Sequence, residues 1–439
     1  MKMSKKKYGI ILGCAVFIMS LFTALHFIRK ERQITIELGI FAGSNWDVAN
    51  ANSYVIIDKA IERFEREHKN VKIHYSSGIL KRDYSEWLSQ KLLLGKMPDV
   101  FMILSDDFNR FASLGVLKDL DKLIEKDPSF DREKFFTTTL LTGQYNGTQF
   151  ALPYETVPTL MFVNKTLLQK EGIEVPDSDW TWDDFLDISQ KVTKDTDGDG
   201  HLDQFGMYNY DWLDAAYTNG AVLFENGDNK ISLVNEKVTQ AVKFVKQLYD
   251  LNQGRKVTQE DFDSGKVAFM PLTFADYRTY KTYPYKIKKY LNFQWDCITL
   301  PAGPNGENIS EVNTLLMGIN SKTKHEKLAW EFLKLLTYDE EIQMDIFRYS
   351  QGASVLKNVT GSKEAEVILQ EYMEESERVI DNELLSRVIE QGMVAPQFLR
   401  YREAVSLATS EIQVIIENDK NIDSSLKILQ NKINEYLKQ

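Results

Sequence analysis

The order of apolar and polar positions predicts strands that alternate with helices over the first part of the chain. Residues 34–41 (ITIELGIF) alternate and are rich in β-branched side chains, as expected of a strand. Residues 54–68 instead repeat apolar side chains at the spacing of one helix face. This alternation predicts an α/β lobe with a largely parallel sheet. The predicted elements are strands at 34–41, 71–75 and 100–104 and helices at 54–68, 84–94 and 106–114.

The pattern changes at residues 150–163 (FALPYETVPTLMFV), where two prolines interrupt an extended run. Proline cannot donate to a strand ladder, so this segment fits a crossover between two lobes better than a central strand. A chain of 439 residues is also too long for one ordinary core, so two lobes are expected. The later predicted elements are helices at 182–192, 214–224, 236–251 and 326–337, short apolar segments at 267–272 and 295–301, and an amphipathic tail at 412–437.

The N-terminal segment predicts a membrane tether that leaves the rest of the chain outside the cell. Four lysines between residues 2 and 7 precede an apolar run at residues 8–28, which is about the length of a membrane-spanning helix. Such positive charge stays on the cytoplasmic side. An uncleaved anchor over residues 1–33 is favoured over a cleaved signal peptide. Residues 11–14 (ILGC) also resemble a bacterial lipoprotein box, in which Cys14 would be lipidated. Both forms of tether predict the extracytoplasmic face of the cell membrane.

Charge and motif content exclude several functional classes. The chain has 64 acidic and 53 basic residues, a net charge of −11, which argues against a nucleic-acid partner. With only Cys14 and Cys297, neither a disulfide scaffold nor a cysteine-ligated metal is expected. The five histidines show no zinc spacing, and no GxSxG, P-loop or GxGxxG occurs. We therefore expect no catalytic residues, with the paired carboxylates of a glycosidase as the open alternative.

A series of short motifs follows in order along the chain: Pro98-Asp99-Val100, 152–154 (LPY), 162–165 (FVNK), 181–185 (TWDDF), 265–270 (GKVAFM), 300–304 (LPAGP) and 327–333 (KLAWEFL). Each segment is weak alone, but together they span most of the chain after the predicted anchor. In this order they resemble the signature of bacterial extracellular solute-binding proteins of the maltose-binding type.

The resemblance implies an α/β, two-lobed, periplasmic-binding-protein-like fold of type II, whose hinge-connected lobes close on a ligand in the cleft. The expected first lobe comprises residues 34–155 and 298–337, and the second comprises residues 156–297 and 338–439. The implied function is capture of an oligosaccharide or other sugar by a monomer that delivers it to the permease subunits of an ABC transporter. The alternatives are a sensory sugar-binding protein coupled to a receptor kinase, a carbohydrate-active enzyme, and a binder of a non-sugar ligand.

The resemblance places ligand contacts on loop tips that face the cleft. Aromatic rings stack on sugar faces, and carboxylates and amides hydrogen-bond to sugar hydroxyls. Trp46 and Asp47 also fit the cap of a helix, and Tyr210 and Trp212 also fit a core. A functional role is favoured for Glu155, because a buried glutamate needs a partner. The candidate ligand residues are Trp46, Asp47, Asp106, Tyr154, Glu155, Asn209, Tyr210, Trp212, Phe274 and Tyr277.

Residues 195–203 (DTDGDGHLD) resemble the calcium loop of an EF-hand. Carboxylates stand at positions 1, 3, 5 and 9, and Gly200 stands at position 6, where the loop turns sharply. Position 12 is Gly206 instead of the usual glutamate, and the family resemblance implies that position 10 completes the metal shell. A structural Ca²⁺ is favoured over a solvated acidic turn. The expected ligands are Asp195, Asp197, Asp199, His201 through its carbonyl, Asp203 and Gln204.

Overall fold

A computed structural model of the chain describes residues 33–48, 50, 52, 54–224, 230–280, 293–371, 380–398 and 400–438. The predicted membrane anchor and Cys14 lie outside these residues. Within the described part of the chain, no helix is both long enough and apolar enough to cross a membrane.

Eleven strands are described, six of them at strand or apolar segments that the sequence predicts. They are β1 (Ile34–Gly39), β2 (Val71–Tyr75), β3 (Val100–Ile103), β4 (Gln144–Tyr145), β5 (Thr148–Gln149), β6 (Ala151–Asn164), β7 (Phe205–Met207), β8 (Val267–Thr273), β9 (Trp295–Ile298), β10 (Glu311–Ile319) and β11 (Met393–Val394). The main sheet runs β2-β1-β3-β10-β6-β8-β7, with β9 also pairing with β6 and β11 with β10. The β4–β5 hairpin stands apart.

The helices flank this sheet, and many begin at a side-chain cap, such as Thr181 with Asp184 before α7. They are α1 (Val55–Glu67), α2 (Lys81–Leu93), α3 (Ser105–Ser113), α4 (Asp121–Ile124), α5 (Thr137–Leu141), α6 (Lys165–Lys170), α7 (Trp182–Val192), α8 (Trp212–Thr218), α9 (Glu236–Asp250), α10 (Gln259–Asp263), α11 (Phe274–Tyr280), α12 (Glu326–Thr337), α13 (Glu340–Tyr349), α14 (Lys357–Thr360), α15 (Lys363–Gln370), α16 (Asn382–Gln391), α17 (Tyr401–Glu417) and α18 (Ile422–Leu437). A short 3-10 helix covers Arg132–Lys134.

Strand β6 is the crossover that the two prolines predict. Residues 151–158 pair with β10, and residues 159–164 pair with β8 and β9. Pro158 is the last residue of β6 that pairs with β10, and the register between β6 and β10 shifts next to Pro153. A residue without an N–H is tolerated at such interruptions because no ladder bond is lost there. One strand therefore carries the chain from the first lobe into the second.

Two apolar clusters form the interior. The first joins β1–β3 with α12, α13 and α16 and extends along one side of the sheet to Phe162 and Trp295. The second joins α7–α9 with the C-terminal helices α17 and α18. The second cluster gives the second lobe a core of its own, whereas the first fills the first lobe and continues along one face of β8 and β9.

The structure places the lobe boundaries after residue 297 differently from the sequence prediction. Ile298 and Leu300 pack in the second cluster, although they were expected in the first lobe. The helices between residues 340 and 391, expected in the second lobe, instead bury Ile342 and Leu385 in the first cluster. The physical reason is that β10 returns antiparallel along β6, so the chain re-enters the first lobe at Glu311 and leaves it only after α16.

Candidate ligand cleft

The carboxyl ends of strands from both lobes converge on the middle of β6. In the first lobe, the end of β3 at Ile103 pairs through β10 with Pro153. In the second lobe, the end of β8 at Thr273 pairs with Thr159. Loops that follow such strand ends carry ligand sites in α/β folds. Residues 154–158 therefore lie at the base of the space between the lobes.

Glu155 is the central acidic group of this region. Its side chain is only 3% exposed and accepts hydrogen bonds from the Ser350 hydroxyl and, at 2.6 Å, from the Gly352 N–H. Burial raises the pKa of Glu155, whereas these donors, Trp46 and the positive charge of Arg278 oppose the rise. Gly352 fits the carboxyl closely: a Cβ at this position would lie 2.4 Å from Glu155 Oε1. The carboxyl is thus held in place by the loop after α13.

A small hollow lies beside Glu155, between the loop after β1 and the end of α13. It encloses about 30 Å³, which is room for a water molecule but not for a sugar ring. Trp46 is half-buried nearby, and its indole N–H lies close enough to Glu155 to lower the pKa of that carboxyl. The residues around the hollow include Asn45, Asn50, Tyr154, Glu155, Tyr349 and Ser350.

The structure brings Trp46, Tyr154 and Glu155 together and turns Asp47 away from them. Tyr154 lines the same hollow as Glu155. Asp47 is largely exposed and pairs with Lys81 at 3.0 Å, with a backbone φ of 58° that turns the loop. Of the four residues predicted near this point, Tyr154 and Glu155 line the hollow, Trp46 lies next to Glu155, and Asp47 faces the solvent.

Asp106 reaches across to the second lobe. It lies in the first turn of α3 and pairs with Arg402 of α17 at 3.6 Å. Burial raises the pKa of Asp106, and Arg402 opposes that rise. Nearby, the Asn109 N–H donates to the Gln397 carbonyl at 3.2 Å. A cavity of about 620 Å³ adjoins these contacts, which is within the usual size of a small-molecule site.

The candidate ligand residues Asn209, Tyr210 and Trp212, which follow the predicted calcium loop at residues 195–203, are divided between the surface and the core. Asn209 is exposed at a positive φ of 60°, at the end of β7. Tyr210 packs edge-on against Phe185, and the Trp212 indole donates to the Thr409 hydroxyl at 2.9 Å. The prediction of Tyr210 and Trp212 as ligand contacts is therefore corrected: both rings fill the second core, and little of either is available to a ligand.

Phe274 and Tyr277 are also core residues. Their rings stack with centroids 5.8 Å apart, and both are almost fully buried. The Tyr277 hydroxyl accepts a hydrogen bond from the Ile380 N–H at 3.0 Å. Their spacing of three residues puts both rings on the inner face of α11, which explains why neither opens into the cleft.

Three acidic residues near the cleft were missed by sequence reasoning as site residues. Asp211 accepts from the Leu213 and Asp214 N–H groups at the start of α8. Burial raises the pKa values of Asp211, Asp214 and Glu311, and the repulsion between Asp211 and Glu311 adds to the rise for Glu311, which Arg402 opposes. Glu311 lies about a hundred residues further along the chain, so only the tertiary fold brings it to this cluster.

The predicted calcium loop at residues 195–203 brings three of its six expected ligands close together. Carboxylate oxygens of Asp195, Asp197 and Asp199 lie within 4.8 Å of one another, and hard oxygen donors of this kind suit Ca²⁺. Asp195 also accepts from the Gly198 and Gly200 N–H groups at 2.7 Å, which lowers its pKa.

The other predicted calcium ligands are engaged differently. Asp203 accepts from the Thr196 N–H and hydroxyl. Gln204 is buried, and its amide donates to Glu171 at 2.9 Å and to the Val192 carbonyl at 2.8 Å. The His201 N–H donates to Asp199 at 2.8 Å. The three aspartates therefore form the shell that the described residues offer to a cation.

Comparisons with known proteins agree with this architecture. Residues 49–342 match the family model described as bacterial extracellular solute-binding protein. An uncharacterised lipoprotein in the oleD 5′ region of Streptomyces antibioticus is 23% identical over 314 residues, 65% of this chain and 64% of its own. The arabinooligosaccharide-binding protein of Bacillus subtilis is 37% identical over 112 residues, 25% of each chain. These alignments span less than two thirds of the relatives' own lengths.

Solved structures cover the described chain more fully. The sugar-binding protein MalE of Xanthomonas citri superposes with a TM-score of 0.75 at 16% identity, covering 92% of this chain and 97% of that one. The cyclic α-maltosyl-1,6-maltose binding protein of Arthrobacter globiformis gives 0.72 at 16% identity, covering 92% and 98%. At such identities the similarity shows the two-lobed fold.

Proposed function

The chain belongs to the bacterial extracellular solute-binding proteins, and on that basis we propose that it binds an oligosaccharide in its cleft and delivers it to the permease of an ABC transporter. Delivery would follow closure of the lobes about β6 and the other connecting segments. Solute-binding relatives with solved structures include an ABC substrate-binding protein of Listeria monocytogenes in complex with cycloalternan.

The observation that carries the proposal is the pairing of Glu155 with Trp46 at the base of the cleft. A carboxylate fixed by two donors accepts hydrogen bonds from sugar hydroxyls, and a half-buried indole supplies an apolar face for a sugar ring. The hollow beside them is too small for a ring, so the ligand-bound state requires the loop after β1 to move outward.

The proposal is tested by screening the purified protein against a panel of oligosaccharides by thermal shift and titrating the best ligand calorimetrically. We expect Glu155→Gln to weaken binding at least about tenfold, since a charged hydrogen bond contributes about 1.5–3 kcal/mol. The matched control is Glu67→Gln, on the exposed side of α1, which should bind normally. A panel without any stabilising glycan would contradict the sugar ligand, and normal binding by Glu155→Gln would contradict this site.

We infer that the chain binds its ligand without transforming it. Members of the family are binding proteins, and the carboxyl of Glu155 is engaged by its own lobe. Recovery of the chosen oligosaccharide unchanged after prolonged incubation is the expected result. Any hydrolysis product formed by wild type and lost in Glu155→Gln would overturn this inference.

We also propose that Asp195, Asp197 and Asp199 hold a structural Ca²⁺. Their clustered carboxylates would repel one another without a cation or full solvation. Gly200, at a φ of 92°, allows the turn that directs them to one point. The missing glutamate at position 12 predicts weaker binding than in a complete loop.

We propose, finally, that the N-terminal segment tethers the protein to the outer face of the cell membrane. The family is extracellular, and the support is the lysine-flanked apolar run at residues 8–28. Retention of the full chain in membranes after high-salt and alkaline washing is the expected result. Mass spectrometry of the N-terminal fragment then distinguishes an unmodified anchor from lipidation at Cys14.

A further inference from the structure

The first lobe has a second distinctive surface at the pole opposite the cleft. There the amino ends of β1 and β3 meet the carboxyl ends of α2 and α3, because helices run antiparallel to the strands they connect. A cavity of about 300 Å³ lies at this pole and is lined by Thr35 near the start of β1, by Leu92 in the last turn of α2 and Gly95 after it, by Leu114 after α3, and by the loop at residues 320–325. We call this surface the polar-end patch.

The patch exposes three large leucines close together in the fold. Leu93 is 87% exposed, Leu94 is 68% exposed and Leu114 is 63% exposed. Leu93 and Leu94 end the same helix whose Leu92 lines the cavity, and Leu114 lines the cavity from the other side. Clustered exposed leucines of this kind mark an interaction surface, whereas single ones do not.

Unpaired positive charge surrounds these leucines. Lys96, Lys322 and Lys324 are exposed around the cavity, and the part of the chain that the structure describes places no carboxylate within ion-pair distance of any of them. Glu326 pairs with Lys118, and the three lysines outnumber Asp99, a cavity carboxylate that accepts from the Glu37 N–H and the Thr323 hydroxyl. On a chain of net charge −11, this is a local basic and apolar surface.

The chain enters the fold at this same pole. Strand β1 begins at Ile34, and only residues 29–33 separate it from the end of the apolar run at residues 8–28. Five residues reach at most about 18 Å when fully extended. If the apolar run lies in the bilayer, the amino end of β1 is therefore held close to the lipid headgroups.

We propose that the polar-end patch is a membrane-contact surface that docks the first lobe on anionic lipid, with the leucines entering the interface and the lysines facing the headgroups. Exposed apolar side chains ringed by basic residues are the chemistry that binds such interfaces. This orientation leaves the cleft, at the other end of the same strands, open to solutes. The inference rests on the proposed tether, and the experiment separates the two.

The test uses the full chain with Cys14→Ser, reconstituted at one molecule per nanodisc of phosphatidylglycerol and phosphatidylcholine. A fluorophore is attached at Leu114→Cys or, as the matched site, at Val234→Cys, an exposed valine next to the second core. Cys297 is buried and therefore protected from the label. Quenching by nitroxide-labelled lipid reports proximity to the bilayer.

We expect quenching at position 114 and none at position 234. Quenching should be lost in the triple variant Lys96→Gln, Lys322→Gln, Lys324→Gln and kept in the control Lys243→Gln, Lys427→Gln, Lys438→Gln, whose lysines are exposed on helices of the second lobe. Half-molar salt should reduce it, since attraction to anionic lipid is screened.

Failure of the chain to enter nanodiscs would overturn the tether and with it this proposal. If the chain enters nanodiscs but quenching is equal at both positions, or absent at both, the polar-end patch is not a membrane-contact surface, and the proposed tether is unaffected. Protection of position 114 from soluble quencher without quenching by lipid would indicate that protein and not lipid covers the patch, and would also overturn it. Calorimetric sugar binding is unaffected by any of these outcomes.

Discussion

Gly352→Ala isolates the positioning of Glu155 without touching its charge. A Cβ at residue 352 would lie 2.4 Å from Oε1, 2.5 Å from Cγ and 2.7 Å from Cδ of Glu155. No relaxed structure tolerates such distances, and both partners are buried, so the carboxyl or the loop must move. Gly352 is not at a positive φ, so the effect comes from this contact and not from backbone strain.

The expected loss of stability and affinity in Gly352→Ala follows from the hydrogen bonds to Glu155 that the added methyl group would disturb. The carboxyl accepts from the Ser350 hydroxyl and the Gly352 N–H, and a hydrogen bond to a charged group contributes about 1.5–3 kcal/mol. Replacing glycine with alanine offsets about 0.4–1 kcal/mol through the unfolded chain. We therefore expect a net destabilisation of about 1–2 kcal/mol and at least a tenfold loss of oligosaccharide affinity, because about 1.4 kcal/mol corresponds to that factor.

The measurements are chemical denaturation of the ligand-free protein and calorimetric titration with the oligosaccharide found in the screen. Gly361→Ala serves as the matched control, since its Cβ would meet only the Lys357 carbonyl oxygen, at 3.2 Å, and the Ser386 hydroxyl at 3.9 Å. The control should keep its affinity. Wild-type stability and affinity in Gly352→Ala would refute the view that this loop fixes Glu155 for ligand binding.

Three further predictions concern charge. Burial raises the pKa of Glu311, so its ionised carboxyl destabilises the folded state above that pKa, and this penalty fades as pH falls through it. Glu311→Gln should therefore unfold at a higher temperature than wild type at pH 7, with the difference shrinking toward about pH 4.5; an equal difference at both pH values would contradict the assignment. Asp127 accepts from Lys334 and, at 2.9 Å, from the Trp330 indole, which hold its pKa well below its usual range against the effect of burial. Asp127→Asn should cost about 2 kcal/mol in urea denaturation at pH 7 and progressively less as pH falls below about 3.8, and an undiminished loss in acid would count against the ion pair. The double variant Asp197→Ala, Asp199→Ala should lower the melting temperature in calcium but not in chelator, and equal shifts in both buffers would exclude the metal.

The sequence by itself determined the family and the elements of the first part of the chain, whereas β10, the strand between β3 and β6, was not predicted. Hydrophobic periodicity was enough for β1–β3 and the helices between them, because each of these elements buries one face against its immediate neighbours. The prolines of β6 identified the crossover, since a residue that cannot donate has few places in a sheet. Glu155 stands within a largely apolar run of β6, in agreement with its burial.

Only the tertiary structure decided which lobe each later segment joins and which aromatic rings face the cleft. The return of β10 along β6 moves the helices at residues 340–391 into the first lobe, a long-range pairing that leaves no local pattern. Trp46 stands beside Glu155 whereas Trp212 fills a core, although both follow strand ends in the sequence. Local sequence fixes an aromatic side chain near a loop tip, but the partner of its indole N–H comes from residues far along the chain, here Glu155 for Trp46 and Thr409 for Trp212.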